Sequence, residues 1–326
     1  MSKISSANFE ILISIINYRT GALTIQCAAS ALAELEGVNG HVTIIDNLSG
    51  DGSAEDIEAW MVELGPDAPI SLVRSSTNSG FSGGHNQGIA SGQAAFYLIL
   101  NSDAVLRPGC MKILLEAAHA APAAGLIAPR LEYEDGTPQI SSFRFASPFS
   151  ELIRGAMTGP VTKLLARYDM PLGTMPDPGS IEWASFACIL LRREMIEQVG
   201  PMDEGYFLYY EDEDYCWQAR KAGWGVVHEP KARVIHYRGG SAPVKSLATA
   251  RKRVPAYYYA SRTRFLRKCY GWPGLIAANL LWHLGRGIAN LRLLTGRSTP
   301  KANKSEWRDI WTNACNPLGN QRETGV

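Results

Sequence analysis

The sequence predicts an α/β protein: a mostly parallel central sheet flanked by helices, followed by a helical, basic C-terminal segment. Two observations carry this. Apolar, β-branched runs of strand length alternate with helically spaced segments over the first hundred residues, the pattern of parallel strands buried on both faces. Charge then divides the chain. Residues 1–229 hold 14 Lys/Arg against 28 Asp/Glu, whereas residues 230–326 hold 18 against 3.

The elements follow in order. "FEILISIINY" is an apolar run of strand length, and "GALTIQCAASALAEL" has helical spacing. "HVTIIDN" is a second strand, "SAEDIEAWMVEL" a second helix and "ISLVRS" a third strand. "GGHNQGIASGQ" opens a third helix, "FYLIL" is a fourth strand and "GCMKILLEAAHAA" another helix. "LEYEDGTPQ" predicts a turn at Asp135-Gly136. Residues 141–180, rich in Pro, Gly and Met, predict irregular structure or short helices over a cleft. "ASFACILLRREMIEQVG" restores a strand and a helix, "YFLYYEDEDYCWQARKAGW" joins an apolar stretch to an acidic helix start, and "VIHY" is a late strand. From Ala248 the chain reads as helical and basic.

Composition narrows the function classes. With 326 residues, 46% of them apolar, the chain suffices for one large domain or two smaller ones. The N-terminus lacks the basic-then-apolar pattern of a signal peptide. Six scattered cysteines form no CxxC pair, which argues against a zinc knuckle or a disulfide framework and suits a reducing cytoplasm. No acidic residue stands between Glu229 and Glu306. Such a basic stretch on an acidic body suggests an anionic partner: lipid, nucleic acid or substrate.

Ligands of open α/β sheets bind at the carboxyl ends of the strands. Three strands end in polar groups here: Asn17, then Asp46-Asn47, then Asn101-Ser102-Asp103. Any one could be an ordinary turn; three together favour a polar ligand. "NSGFSGGHNQG" adds a glycine-rich entry to a helix, where backbone N–H groups can approach a phosphate. It is not the dinucleotide fingerprint, which belongs after the first strand. Asp103 could hold a divalent cation against a diphosphate, or simply cap a helix. Glu211, Asp212, Glu213 and Asp214 could be ordinary first-turn carboxylates. They follow the aromatic "GYFLYY", however, and carboxylates beside an apolar wall can serve as bases. His41, His85, His119 and His283 read as ordinary histidines; His236 stands out because "RGGS" follows closely.

Taken together, "NLSGDGS", "NSGFSGGHNQG", "LNSDAVL", "RREMIEQVGPMDEGYFLYYEDEDYCWQARKAG" and "VIHYRGGS" resemble family 2 inverting glycosyltransferases of the GT-A fold, and within them the bacterial rhamnosyltransferase-like group. The resemblance implies roles. Asn17 and Asp46 match positions that contact base and ribose. Asn78, Gly80 and Asn86 match the nucleotide-side glycine-rich segment. Asn101, Ser102 and Asp103 match the Asp-x-Asp metal motif in Asn-x-Asp form, on the nucleotide side. Asp103 and His236 match holders of a Mg2+ or Mn2+ ion. Asp212 matches the catalytic base, and Trp183 and Glu211 lie on the acceptor side. Successive helical residues point about 100° apart, so Glu213 is expected to face solvent and Asp214 to point elsewhere, capping the helix or pairing with Arg220 or Lys221. Two departures stand out: Asn101 replaces an Asp, and Phe186 stands near a Gly-Ala position, where it could narrow the acceptor pocket.

The resulting expectation is a metal-dependent glycosyltransferase of cell-surface polysaccharide synthesis. Its donor is a nucleotide-diphosphate sugar, dTDP-rhamnose being the first choice, and its acceptor a saccharide or lipid-linked saccharide. Residues 1–130 would form the nucleotide-sugar half, 131–245 the acceptor-binding and catalytic half, and 246–326 the basic helical segment. An inactive sugar-nucleotide-binding or scaffold protein is the alternative; retention of Asp103 and Asp212 argues against it. A nicotinamide oxidoreductase lacks its fingerprint, and no reader motif supports a nucleic-acid partner. "WPGLIAANLLWHLGRGIANLRLL" is too interrupted by polar and charged residues to span a bilayer. It predicts either a helix lying on an anionic membrane surface, at the inner face of the cell membrane, or a helical hairpin packed on the catalytic domain or a dimer partner.

Overall fold

The computed structural model describes residues 8–237, 244–296 and 298–319. Its first half alternates β1 (Asn8–Asn17), α1 (Gly21–Ala33), β2 (Gly40–Asp46), α2 (Ser53–Leu64), β3 (Ile70–Arg74), α3 (Gly80–Ala90) and β4 (Gln93–Asn101). A short β5 (Ala104–Leu106), α4 (Cys110–Ala120) and β6 (Ala124–Glu132) follow. The middle holds β7 (Ser142–Phe143), α5 (Pro148–Ala156), α6 (Gly159–Leu164), β8 (Trp183–Ala184), β9 (Cys188–Arg192) and α7 (Arg193–Val199). Last come α8 (Glu211–Lys221), β10 (Gly225–His236), α9 (Val244–Thr249), α10 (Ala256–Asn290) and α11 (Glu306–Asp309).

Eight strands form one sheet in the order β3-β2-β1-β4-β9-β6-β10-β5. β1 pairs in parallel with β2 and β4, β2 with β3, and β6 with β10; β9 and β5 run antiparallel to their neighbours. The strands read as continuous apolar runs because both faces are covered. Ile11, Ile13 and Ile15 of β1 pack in one core with Cys27 of α1 and Leu114 of α4, while Leu12 joins Met195 of α7 and Phe265 of α10 in the other. Burying each such side chain contributes about 1.5–3 kcal/mol.

The predicted turn at Asp135-Gly136 is present, with Gly136 at φ +84° and the Thr137 N–H donating to Asp135 Oδ1 at 2.8 Å. "VIHY" proves to be the end of a longer strand. β10 shifts register between Glu229 and Arg233, where Pro230 interrupts the alternation that would mark one strand. Residues 238–241, the "RGGS" after His236-Tyr237, lie outside the described residues.

α10 is two arms. Gly271 (φ 69°, ψ −170°) breaks the helix, and Pro273 follows. The first arm buries Tyr259, Arg262, Phe265 and Leu266. The second buries Leu275, Ala278 and Trp282, crossing α5 at two glycines: a Cβ on Gly155 would lie 2.3 Å from the Trp282 carbonyl oxygen, and one on Gly285 2.5 Å from that of Leu152. Both arms thus pack on the body of the chain. Among the described residues no helix is long and apolar enough to cross a membrane.

Candidate active site

At the carboxyl ends of β1, β2 and β4 the polar side chains form one network. Asn17 donates through Nδ2 to Asp46 Oδ1 (2.8 Å), Ser49 Oγ (3.1 Å) and Ser53 Oγ (2.8 Å). Its Oδ1 accepts from Thr20 and Thr24, and the Thr20 hydroxyl donates on to Ser102 Oγ at 3.1 Å. Asn17 is fully buried. It therefore holds Asp46 in place, where the sequence pointed to direct nucleotide contact.

Asn47, which sequence reasoning did not single out as a site residue, joins the next layer. Its Nδ2 donates to Asn78 Oδ1 (3.1 Å) and the Gly80 carbonyl (3.0 Å), and its Oδ1 accepts from the Ser79 N–H. Its place beside Asp46 at a strand end was the available signal. Gly80 opens α3 at φ +68°, and a Cβ there would lie 2.3 Å from the Phe207 carbonyl oxygen. Only glycine combines that conformation with so close an approach. Asn86 pairs with both backbone groups of Met202, at 2.9 and 3.0 Å, and so ties α3 to the segment leading into α8.

Asp103 lies between β4 and β5 and is almost fully buried. It is not a helix cap: Gly109 precedes α4. β5 turns away to pair antiparallel with β10, in a register that sets Ala104 opposite His236. The pairing brings His236 Nε2 to 3.5 Å from Asp103 Oδ1, and the Tyr237 N–H donates to the Asp103 carbonyl at 2.9 Å. Glu132 fastens this edge. Burial pushes its carboxyl up, but hydrogen bonds from Arg233, Arg130 and Arg107 outweigh burial and hold it at about 2. His236 faces a hollow of about 620 Å³ shared with Tyr133, Glu134, Asp135 and Tyr237.

Among the described residues no group of three or more His, Cys, Asp or Glu could by itself hold a metal ion. Asp103 and His236 nevertheless fit one that takes its remaining ligands elsewhere. They offer a carboxylate and an imidazole whose Oδ1 and Nε2 atoms lie 3.5 Å apart at the end of the β5–β10 ladder. Magnesium-type sites commonly use one or two carboxylates plus phosphate oxygens.

The acidic run opens α8, but its members do not share one environment. Burial pushes the Asp212 carboxyl up to about 6, against the opposing pull of the Glu213 and Phe186 backbone N–H groups. Glu211 is raised well above the usual carboxylate range by burial and then by the charge of Asp212. Two of the sequence-based expectations fail here. Glu213, expected to face solvent, is buried and accepts from the Ala146 N–H. Asp214, expected to cap the helix or to pair with Arg220 or Lys221, instead accepts from Lys268 of α10 at 2.6 Å. Lys268 also reaches Asp203 at 2.7 Å, where Arg264 forms a second, bidentate pair. The two residues before the helix, Tyr209 and Tyr210, both adopt left-handed φ values of 70° and 69°. Such conformations cost bulky residues roughly 1–3 kcal/mol each and cluster at functional sites. Tyr258 of α10 packs against both rings, at 5.6 Å each.

One short turn joins the Asp212 side to the Asn101 side. The Ala187 carbonyl accepts from the Asn101 N–H at 2.9 Å, while the neighbouring Phe186 N–H supports the Asp212 carboxylate. The Phe186 side chain does not narrow a pocket: it is 2% exposed and packs edge-on against Tyr215. Trp183 stacks on Phe143 at 4.4 Å, with its indole N–H held by the Arg144 carbonyl.

Comparison with known proteins bears on this arrangement. Residues 11–200 match the family model described as glycosyl transferase family 2. The chain is 30% identical over 230 residues to N-acetylglucosaminyl-diphospho-decaprenol L-rhamnosyltransferase of Mycobacterium tuberculosis, covering 65% of this chain and 72% of that protein. It is 24% identical over 238 residues to the low-salt glycan biosynthesis hexosyltransferase Agl10 of Haloferax volcanii, covering 70% and 67%. The fold is shared with a mannosyltransferase from Pyrobaculum calidifontis solved with GDP-Man and Mn2+, at a TM-score of 0.57 and 11% identity, over 91% of this chain and 79% of that one.

Proposed function

The chain belongs to glycosyl transferase family 2 and has the expected GT-A-like fold, and we propose from this premise that it transfers L-rhamnose from dTDP-rhamnose to a lipid-linked saccharide, with Asp212 as base and a Mg2+ or Mn2+ ion at Asp103 and His236. The observation that carries the reading is the Phe186-Ala187 turn, which holds the half-buried Asp212, its pKa raised, and the Asn101 strand end together. The choice of sugar and acceptor draws on the relative named as a rhamnosyltransferase of a diphospho-decaprenol acceptor.

The chemistry runs as a single displacement. Asp46, fixed by Asn17, and the α3 entry at Asn78 and Gly80 hold the nucleotide, with Asn86 fixing α3 to the Met202 segment. Asp212 takes the proton of the acceptor hydroxyl as its oxygen bonds to the sugar C1. The bond from C1 to the diphosphate oxygen breaks on the opposite face, so the configuration inverts and the proton ends on Asp212. When bound, the cation neutralises charge on the departing diphosphate. Trp183 and Glu211 stand on the acceptor side, and the acceptor's lipid places the reaction at the inner face of the cell membrane.

The test is a panel of nucleotide sugars measured by thermal shift with and without Mg2+ or Mn2+, followed by product analysis. dTDP-rhamnose should give the largest cation-dependent shift, about 2.7 kcal/mol at 100 times its dissociation constant, and a product of inverted configuration. A larger shift with another nucleotide sugar would overturn the donor. Retained configuration would overturn the mechanism.

A further inference from the structure

The second arm of α10 carries a feature that transfer chemistry does not use. Trp272, Ile276, Leu280 and Leu284 recur every fourth residue and are all exposed, between 43% and 57%, and Leu291 beyond them is 59% exposed. Residues four apart form one ridge on a helix. Between Trp272 and Leu291 the one charged residue is Arg286, and its guanidinium donates to the carbonyls of Gly155 and Pro300. The outer face of this arm is therefore apolar and uncharged, while its inner face is buried on α5.

This ridge is joined to a basic patch. Trp311 stacks on His283, next to Leu284, and its indole N–H reaches His283 Nε2 at 3.2 Å. Trp307, Arg308, Lys304 and Lys301 are exposed nearby in sequence, and the Lys304 N–H meets the carbonyl of exposed Arg251. The acids of this region do not neutralise the patch. Glu306 and Asp309 are buried and paired with Arg154 and Arg253, and Lys301, Lys304 and Arg308 make no ion pair among the described residues.

We propose that this face docks on an anionic lipid bilayer, with the second arm of α10 lying in the plane of the interface, its leucine ridge in the acyl boundary and the patch at Lys301, Lys304 and Arg308 on the headgroups. Apolar ridge, interfacial tryptophans and basic flank are the three requirements of a helix that lies on a membrane. An anionic surface neutralises the patch, whereas a second copy of the chain would bring its own positive charge with it. The kink at Gly271 lets the first arm stay packed on α8 while the second faces lipid. The proposal deepens the membrane-side reading above, and its test reads lipid binding separately from transfer.

The experiment is co-sedimentation of the full chain with phosphatidylglycerol-containing vesicles and with pure phosphatidylcholine vesicles. Binding to the first and not the second is expected. Lys301→Glu/Lys304→Glu/Arg308→Glu should weaken it about a hundredfold or more, the weight of three basic residues at an anionic surface. Ile276→Gln/Leu280→Gln/Leu284→Gln should abolish insertion, seen as loss of the blue shift of tryptophan fluorescence on vesicle addition. Both variants should melt as the parent does and keep donor binding, so a defect in folding or catalysis is told apart. Failure of the wild type to bind either vesicle would overturn the proposal. So would self-association by sedimentation velocity that the Ile276/Leu280/Leu284 variant loses while vesicle binding persists; that result would assign the ridge to a dimer.

Discussion

The two sides of the candidate site are built by opposite means. Around Asn17, Asp46 and Asn47, amides and hydroxyls pair with one another and with the Asp46 carboxylate, and the resulting network is well satisfied. Around Asp212, three further carboxyls stand within one helical turn, all buried, behind two left-handed tyrosines. A satisfied polar network rigidifies a site without large penalty. Crowded buried acids cost stability, and only packing from elsewhere keeps them in place. Here that packing comes from α10, through Lys268 and Tyr258. On the proposed reading, the satisfied network is the donor side and the crowded carboxyls of α8 are where the base, Asp212, is held with a raised pKa.

The sharpest way to break this contrast is at Asp103. Asp103→Ala should abolish transfer and all cation-dependent donor binding, and His236→Ala should weaken both less completely; calorimetry with and without Mn2+ measures each. Near wild-type turnover in Asp103→Ala would remove the cation from its assigned place.

Asp212→Asn should lower turnover by about 10² or more and leave donor affinity nearly unchanged, measured by product assay and calorimetry on the same variant. Loss of neither would remove Asp212 as the base. In the parent enzyme kcat should fall as pH drops below about 6, because the base works only when ionised. Stability moves the other way. The folded-state pKa of Asp212 lies above the ordinary carboxylate value, so its contribution to folding is lost as pH rises through about 6. Asp212→Asn should therefore raise the melting temperature at pH 8 more than at pH 5. An equal change at both would contradict the raised pKa.

Gly80→Ala tests the donor side. Placing a side chain at φ +68°, against the Phe207 carbonyl, should cost at least about 1–2 kcal/mol of stability. It should also weaken nucleotide binding while leaving the pH profile in place. A shifted profile with unchanged affinity would mean that the two sides are not separable. The smallest effect belongs to Glu213→Gln. The amide oxygen can still accept from the Ala146 N–H, so the loss should stay near 1 kcal/mol or below in chemical denaturation.

The sequence disclosed the donor side far better than the α8 side. β1, β2 and β4 are apolar runs, rich in β-branched residues in β1 and β2, that end in polar residues, so the strands, the fold class and the strand-end positions of Asp46 and Asp103 could all be read locally. What escaped depends on distant partners. An acidic first turn looks solvated because helix dipoles favour it, and nothing near Glu213 or Asp214 names Ala146 or Lys268, 67 and 54 residues away. The burial of Asn17 escaped for the same reason: it follows from Ser49, Ser53 and Thr24 closing around it. The C-terminal charge was plain in composition. Its division into a buried clamp at Arg262, half-buried clamps at Arg264 and Lys268 and an exposed patch at Lys301 to Arg308 appears only once α10 has folded back on α5.

The ladder that joins Asp103 to His236 sets an order in time as well as in space. β5 has one strand neighbour, β10, so these two groups meet only when residues 104–106 zip onto residues 234–236. During synthesis β1 to β4 can assemble first, but the Asp103–His236 pair forms only once residues 234–236 have emerged. The last ladder to close at the sheet's edge is thus the one that unites the pair, and a nascent chain that stalls before β10 would present the β1 to β4 strand ends without it.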